Sequence, residues 1–434
     1  MSEKPPVTLR AYRLLSAAVT PLVPLLLARR LKRGKEHRAR LSERRGEARV
    51  ARPNGALVWL HAASVGELAS VLPLIERVRA RGVEMLVTTG TVTSGGLAAQ
   101  RLPRGVIHQF IPVDMPRYMR RFYDHWRPDL ALFVESDIWP NMMIEASRRS
   151  VPMIMINGRL SENSFRRWRY LPKTFAFLLQ RFDLCLAGTL GDAERLNESG
   201  APRIVTTGNL KLDVPAPSAD SAKLAALQDA IAGRPVIAAV STHTGEEGIV
   251  MEAHRRLRHN FPKLLTLIAP RHPERGPGVV EIAATAGLTT AQRSRGELPR
   301  AATDIYVADT IGELGLIYRL APIVFIGGSL VRHGGQNPIE AAKLGAAILH
   351  GPHVWNFAEI YAALDQAHGA EPVVDANGLT AGMAALLINE ATRAQVAATA
   401  RKTVDALGGA LERTLASLDP YLMQLQLRQR ADHA

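Results

Sequence analysis

Beyond Pro53 the chain alternates short apolar runs with longer amphipathic stretches, the signatures of strand and helix in turn. In the first half the apolar runs are ALVWLHA, VEMLVTTG, VIHQFIPVD, DLALFVESD, VPMIMINGR, DLCLAG and RIVTTGNLK. Their near-continuous hydrophobicity suits parallel strands covered on both faces. Helical patterns lie between them, such as ELASVLPLIERVRARG from Glu67 and PRYMRRFYDHW from Pro116. Asp213–Asp220, DVPAPSAD, has two prolines and no periodicity, which predicts a linker. The alternation then restarts with RPVIAAVST, LLTLIAPRH, DIYVADT, IVFIGGS, AAILHGP and EPVVDAN. Two such arrays predict an α/β protein of two doubly wound, Rossmann-like domains facing a central cleft at the carboxyl ends of their strands. The expected organisation is an apolar segment with a basic collar over 1–52, a first α/β domain over 53–212 and a linker over 213–220. A second α/β domain over 221–390 follows, and helices over 391–434 pack back across the interdomain face.

Composition adds little to the fold and more to the setting. At 434 residues, 47% hydrophobic and 22% charged, the chain has material for two or three ordinary cores and is not generally disordered. The net charge of +14 favours anionic partners, but the excess is concentrated between Arg29 and Arg52. The lone cysteine, Cys185, sits in an apolar run and reads as a small buried hydrophobe in a reducing, cytosol-facing compartment. Leu14–Ala28 is uncharged and apolar, interrupted by Pro21 and Pro24, preceded by Arg10 and Arg13 and followed by RRLKRGK. It is short for a full crossing, which takes about 20 apolar residues. No small-residue cleavage site follows it, so a membrane anchor with basic residues on anionic headgroups is expected, with the body on the cytoplasmic side. A buried core helix is the alternative.

Candidate chemistry gathers where strands end. In IVFIGGSLVRHGGQNPIEAAKLG a strand runs into a loop with Gly327, Gly328, Gly334 and Gly335 and then a helix opening at Asn337–Pro338. Glycines let backbone approach a ligand, and a helix start offers free N–H groups to a phosphate. Asn337 and Glu340 equally fit a capping box with Pro338 at the first helical position. Rossmann G-x-G-x-x-G and P-loop spacings are absent here. Ser64 and Glu67 repeat the capping-box spacing after the first strand; the functional alternative is a carboxylate kept ionised at a helix N-terminus and acting as a general base. VESDIWPN places Glu135 and Asp137 at a strand end, where a carboxylate is costly to bury. TTGTVTSGG with Thr91 is a possible anion site, and Arg159, Arg166, Arg167 and Arg169 suit phosphates unless simply solvated. Lys211 precedes the linker, while Ser241, Thr242, Arg271 and His272 follow strands of the second array and Gly312 opens a helix after another. His243 and Glu246 have metal-compatible spacing but no recognisable third ligand, so no metal is expected. No Gly-x-Ser-x-Gly, zinc or nucleic-acid motif appears.

HAASVGE, TTGTVTSG, VESDIWPN, NGRLS, GNLK, APRHPER, YVADTIGELG and GGSLVRHGGQNPIEAA occur together and in this order. In this the chain resembles the lipid A Kdo (3-deoxy-D-manno-octulosonic acid) transferases of Gram-negative bacteria over nearly its whole length. The resemblance implies a GT-B fold and an inverting, metal-independent transfer of Kdo from CMP-Kdo to a tetra-acylated lipid A precursor, without a cofactor, at the cytoplasmic face of the inner membrane. It implies Glu67 as catalytic base, with Glu135 and Lys211 helping to stabilise the transition state. Pro270 and Arg271, Gly312, Glu313 and Leu314, and Asn337, Pro338, Ile339 and Glu340 would hold CMP, beside Ser241, Thr242 and His272. Ser64, Thr91, Arg159 and Arg166 are the acceptor-side candidates. Gln336 stands where the family is expected to carry His, a change tolerated if only backbone meets the ligand there. The competing expectations are another GT-B enzyme, a UDP-sugar transferase or a nucleotide-sugar 2-epimerase, and a non-enzymatic binder of anionic lipid or nucleic acid.

Overall fold

The structure, a computed structural model, describes residues 4–431; the outermost positions of the expected anchor and C-terminal segments, 1–3 and 432–434, lie outside the described residues. The chain forms two compact units, Met1–Val214 with Gly408–Ala434, and Pro215–Leu407.

In the first unit the strands are β1 (Leu57–His61), β2 (Glu84–Thr89), β3 (Ile107–Phe110), β4 (Leu130–Val134), β5 (Met153–Gly158), β6 (Leu184–Ala187) and β7 (Ile204–Thr206). They form one parallel sheet in the order β3-β2-β1-β4-β5-β6-β7. Alternate residues of one strand serve opposite faces: Leu57 and Trp59 enter one core layer, Val58 and Leu60 the other. Both faces are thus covered, which is why the strands read as unbroken apolar runs. Trp59 packs edge-on against Tyr123 and Phe133, and its indole N–H donates to Thr88 Oγ1 at 2.9 Å. Cys185 is buried, with burial pushing its thiol up to about 12.

The second unit holds β8 (Val236–Thr242), β9 (Leu265–Pro270), β10 (Thr290–Gln292), β11 (Ile305–Val307), β12 (Ile323–Ile326), β13 (Ala347–His350) and β14 (Ala370–Pro372). This sheet is also parallel, ordered β10-β11-β9-β8-β12-β13-β14. The strand absent from the sequence reading is β10: its three residues, TAQ, lie at the sheet edge and offer no apolar run. β14 is equally short and begins one residue earlier than the run EPVVDAN.

The ends of the chain sort differently. The helix Glu390–Ala406 belongs to the second unit, whereas Ala410–Ala431 belongs to the first and sends Leu415, Leu418, Leu422 and Leu425 into its core. The expected segment 391–434 is therefore divided, and the chain crosses between units within the expected linker, after Val214. At the N-terminus, helix Val7–Val19 leads through one 3-10 turn, Thr20–Leu22, into helix Val23–Lys32. Pro21 and Pro24 do not break this run, because each occupies the first turn of its segment, where no amide is needed. Leu9, Ser16, Val23 and Leu27 are buried, while Leu14, Leu15, Leu22, Leu25 and Leu26 are exposed. The collar is less freely basic than its composition: Arg30 and Arg44 pair with buried Glu36, and Arg40 with buried Glu43. Lys32, Arg33, Lys35 and Arg38 are exposed.

Candidate functional site

β1 pairs with both β2 and β4, so the order of the first sheet reverses there and the loops after β1 and β4 diverge. Such a switch point opens a crevice at the carboxyl ends of the strands. Ser64 caps the helix Val65–Arg79 by accepting from the Glu67 amide. Glu67 answers by accepting from the Ser64 hydroxyl at 2.6 Å and from the Ala63 amide at 2.8 Å. The cap is therefore real, but the box is not the reciprocal one the spacing predicts, because Glu67 accepts from the Ala63 amide instead of the Ser64 amide; the two bonds orient the carboxylate at the strand end. Burial pushes the Glu67 carboxyl above the ordinary carboxylate range; the Ser64 bond pulls it back, negative Glu135 pushes it up, the Ala63 bond pulls it down and Asp137 pushes it up again. Burial thus sets the direction, opposite to what a helix N-terminus alone dictates. A raised carboxyl is nearer the working pH and makes a better proton acceptor.

Glu135 follows β4 directly with φ of 59°, a left-handed conformation uncommon outside glycine. Its Oε1 accepts from Lys211 Nζ at 2.8 Å, and both side chains are mostly buried. Lys211 is placed by two asparagines. Asn209 accepts from the Lys211 amide, and Asn157, itself at φ of 51° at the end of β5, accepts from the Leu210 amide. His61, fully buried at the end of β1, bridges Asp137 Oδ2 at 2.9 Å and Thr88 Oγ1 at 2.8 Å. His61 was missed in the sequence; a polar residue ending an otherwise apolar strand was the available signal. Thr91 caps Val92–Arg101 in a reciprocal box with Ser94, and Gly90 and Ser94 lean on the Ala63 carbonyl, so this loop backs the Glu67 turn. Arg159 lies one residue beyond β5, and Arg166 is exposed on helix Glu162–Trp168 beside Glu162.

The second unit repeats the arrangement at its own reversal, where β8 pairs with β9 and β12. Ser241 sits in β8 at φ of 55°. Buried Thr242 donates to Glu247 Oε1 at 2.9 Å, and its carbonyl accepts from the Arg271 amide. Arg275 reaches the same Glu247 oxygen at 2.6 Å. Pro270 ends β9, leaving Arg271 and His272 exposed. His243 stacks on His333, with ring centroids 4.1 Å apart, and lies 6.1 Å from His272. Burial first, then the neighbouring His333, His272, Arg271 and Arg275, push His243 down to about 4, so its ring is neutral at physiological pH.

The predicted donor residues do not all present side chains. Glu313 is committed to Arg293, Lys223 and Thr310, and hydrogen bonding to Arg293 holds it down to about 2. Gly312, at φ of 82°, and Leu314 flank it. The helix after the glycine loop begins at Ile339 and has five residues, so few peptide dipoles add there. Pro338 precedes rather than opens it, and Asn337 accepts from the Ile339 amide. The reciprocal capping box expected of Asn337 and Glu340 does not form; their side chains approach only to 3.5 Å. Burial raises the Glu340 carboxyl, and the Asn337 contact partly offsets it. Among the described residues no group of three or more His, Cys, Asp or Glu side chains is placed to hold a metal ion.

A family model described as 3-deoxy-D-manno-octulosonic-acid transferase (kdotransferase) matches residues 39–214. The chain is 36% identical over 370 residues to a probable mitochondrial 3-deoxy-D-manno-octulosonic acid transferase of Arabidopsis thaliana, covering 83% of each. It is 32% identical to the 3-deoxy-D-manno-octulosonic acid transferase of Haemophilus influenzae, across 95% of this chain and 98% of the relative. Among solved structures, a putative UDP-N-acetylglucosamine 2-epimerase from Listeria monocytogenes aligns over 85% of this chain and 97% of its own, with a TM-score of 0.60 at 15% identity, a likeness of fold alone. Two parallel α/β units of this type make a GT-B glycosyltransferase fold, and on sequence the chain belongs to the 3-deoxy-D-manno-octulosonic acid (Kdo) transferase family.

Proposed function

We propose that the protein transfers Kdo with inversion from CMP-Kdo to a hydroxyl of a tetra-acylated lipid A precursor, with Glu67 as the base. The observation that carries this reading is the Glu67 carboxylate: half-buried, raised above its ordinary range, and aimed by Ser64 and the Ala63 amide at a sheet reversal. In the step proposed, Glu67 takes the proton of the acceptor hydroxyl. The freed oxygen attacks the anomeric carbon of Kdo, and the bond from that carbon to the CMP phosphate oxygen breaks, releasing CMP. Lys211, held by Glu135, offsets the negative charge that develops. Arg271, with Ser241 and the amides around Gly312 and Asn337, is the proposed seat of CMP.

The acceptor has acyl chains, so the enzyme must work at a membrane surface. The helical segment Val7–Lys32 is long and apolar enough to cross a membrane, and only 22% of its most apolar stretch is buried. One face is pinned to the first unit through Tyr12–Asp114, Arg13–Glu145 and Ser16–Asn141, leaving a leucine stripe outward. A helix held sideways on a globular unit suits lying in the interface of the cytoplasmic leaflet better than crossing it. A groove of about 650 Å³ lined by Phe165, Trp168, Pro172 and Phe175 with Arg169 and Lys173 suits an acyl chain beside an anionic headgroup.

Purified protein supplied with CMP-Kdo and the lipid precursor should release CMP and yield a Kdo-bearing lipid. Glu67→Gln should lower kcat by about 10²–10⁴-fold while keeping the fold. Near-normal turnover in that variant removes Glu67 as the base. Thermal stabilisation by UDP but not by CMP moves the reading to a UDP-sugar enzyme.

A further inference from the structure

Glu246 is fully buried at the start of helix Glu246–Leu257, yet its carboxylate is met by backbone rather than by a cation. Four amides donate to it: His243 at 2.9 Å and Gly328 at 2.7 Å to Oε2, Ser329 and Leu330 each at 3.0 Å to Oε1. One side chain thus joins the loop after β8 to the glycine-rich loop after β12, across the point where the second sheet reverses. The loop is also closed upon itself, as the Gly335 amide donates to the Gly328 carbonyl and the Gln336 amide to the Gly327 carbonyl. Its outer part is tied by Asn356, which donates to the His333 carbonyl, and by Tyr361, whose hydroxyl donates to the Gln336 carbonyl. What this frame presents is the His243–His333 stack and Gln336, whose amide lies 3.1 Å from His243 Nε2. Gly328 is in the left-handed region, and a Cβ there would lie 3.2 Å from both Gln336 and His243, so the packing leaves the loop little freedom.

We propose that Glu246 is a positioning residue for the sugar-nucleotide donor: it holds the glycine-rich loop in its binding shape before the donor arrives. This rests on the reading that the second unit binds CMP-Kdo. Preorganisation lowers the cost of binding, so loosening the loop should weaken donor capture more than it slows a bound complex. Multiple charge-assisted amide bonds are the strong kind, and an amide side chain cannot accept all four donors.

The test combines kinetics with hydrogen exchange on the full chain. Glu246→Gln should raise KM for CMP-Kdo by about tenfold or more, the equivalent of one lost buried hydrogen bond. It should change kcat at saturating donor by less than about threefold and leave KM for the lipid acceptor unchanged. A role confined to stability would instead lower the folded fraction, and with it kcat, at unchanged donor KM; that result overturns the proposal. Wild-type exchange needs no variant: the amides of Gly328, Ser329 and Leu330 should be protected without ligand, and CMP should add little. Free exchange at these amides until CMP is added also overturns it. Failure of CMP to bind wild-type protein by calorimetry takes down the donor reading and the proposal together, whereas binding with an unchanged KM in the variant takes down only the role of Glu246.

Discussion

At the scale of single residues, burial and pairing move two carboxylates in opposite directions, Glu67 in the first unit and Glu313 in the second. Glu67 has its folded-state carboxyl raised, so its contribution to stability is present at low pH and is lost as pH rises through the folded value. Glu67→Gln removes that loss, and its amide oxygen still accepts one of the two bonds from the Ser64 hydroxyl and the Ala63 amide. Thermal melts near pH 7 should show the variant as stable as wild type or more so, while activity collapses; a clear drop in stability would mean the carboxylate's bonds outweigh its burial. Because the base must be ionised, kcat should fall on the acid side, with its midpoint above the ordinary range of a free Glu. Lys211→Met leaves Glu135 without its cation, and kcat should drop by about tenfold or more while the acceptor KM holds. Glu313 has the opposite sign. Lowered to about 2 from 4.5, it contributes stability above pH 4.5 that is lost as pH falls toward 2. For this partly exposed network Glu313→Gln should cost roughly 1 kcal/mol near pH 7, the difference narrowing through that window in pH-dependent denaturant melts. None of these signs was open to spacing: Ser64 and Glu67 three apart predicted the cap, but the desolvation that raises Glu67 comes from neighbours brought in by other strands.

Among elements, the N-terminal helix divides its leucines between two jobs. Leu27 is buried against Tyr118 with Val23, so Leu27→Ala should cost about 2–5 kcal/mol of first-unit stability in denaturant unfolding. Leu14 and Leu25 are over 70% exposed, and Leu14→Ser with Leu25→Ser should leave stability unchanged. The same pair should weaken flotation with anionic vesicles by about tenfold per leucine. Unaltered vesicle binding would assign membrane contact elsewhere. Periodicity exposed the apolar length of this segment and its flanking charge. Which leucines face protein depended on the helix Pro116–Trp126 and on Asp114, more than a hundred residues along, which accepts from Tyr12. Likewise β10 was invisible as three unremarkable residues, for its strand character lies in pairing with β11 and not in its own side chains.

For the whole molecule, the last helix returns to the first unit, so the second unit is an insertion within the first. Removing residues 408–434 uncovers the sites of Leu415, Leu418, Leu422 and Leu425, worth roughly 6–12 kcal/mol of burial at about 1.5–3 kcal/mol for each leucine. Calorimetry of that truncation should lose or sharply lower the transition of the first unit while retaining that of the second; an unchanged scan would show the helix to be an ornament. Sequence alone determined the two α/β arrays, the break near Asp213–Asp220 and the family, because strands covered on both faces must be apolar throughout and ordered motifs persist at strand ends. Only the tertiary structure decided that Lys211 meets Glu135 across 76 residues, that Glu246 binds the glycine loop through amides, and that the final helix closes the first core. Those outcomes depend on which distant groups share a desolvated space, and a one-dimensional pattern carries the polarity of each residue but not the neighbour that will satisfy it.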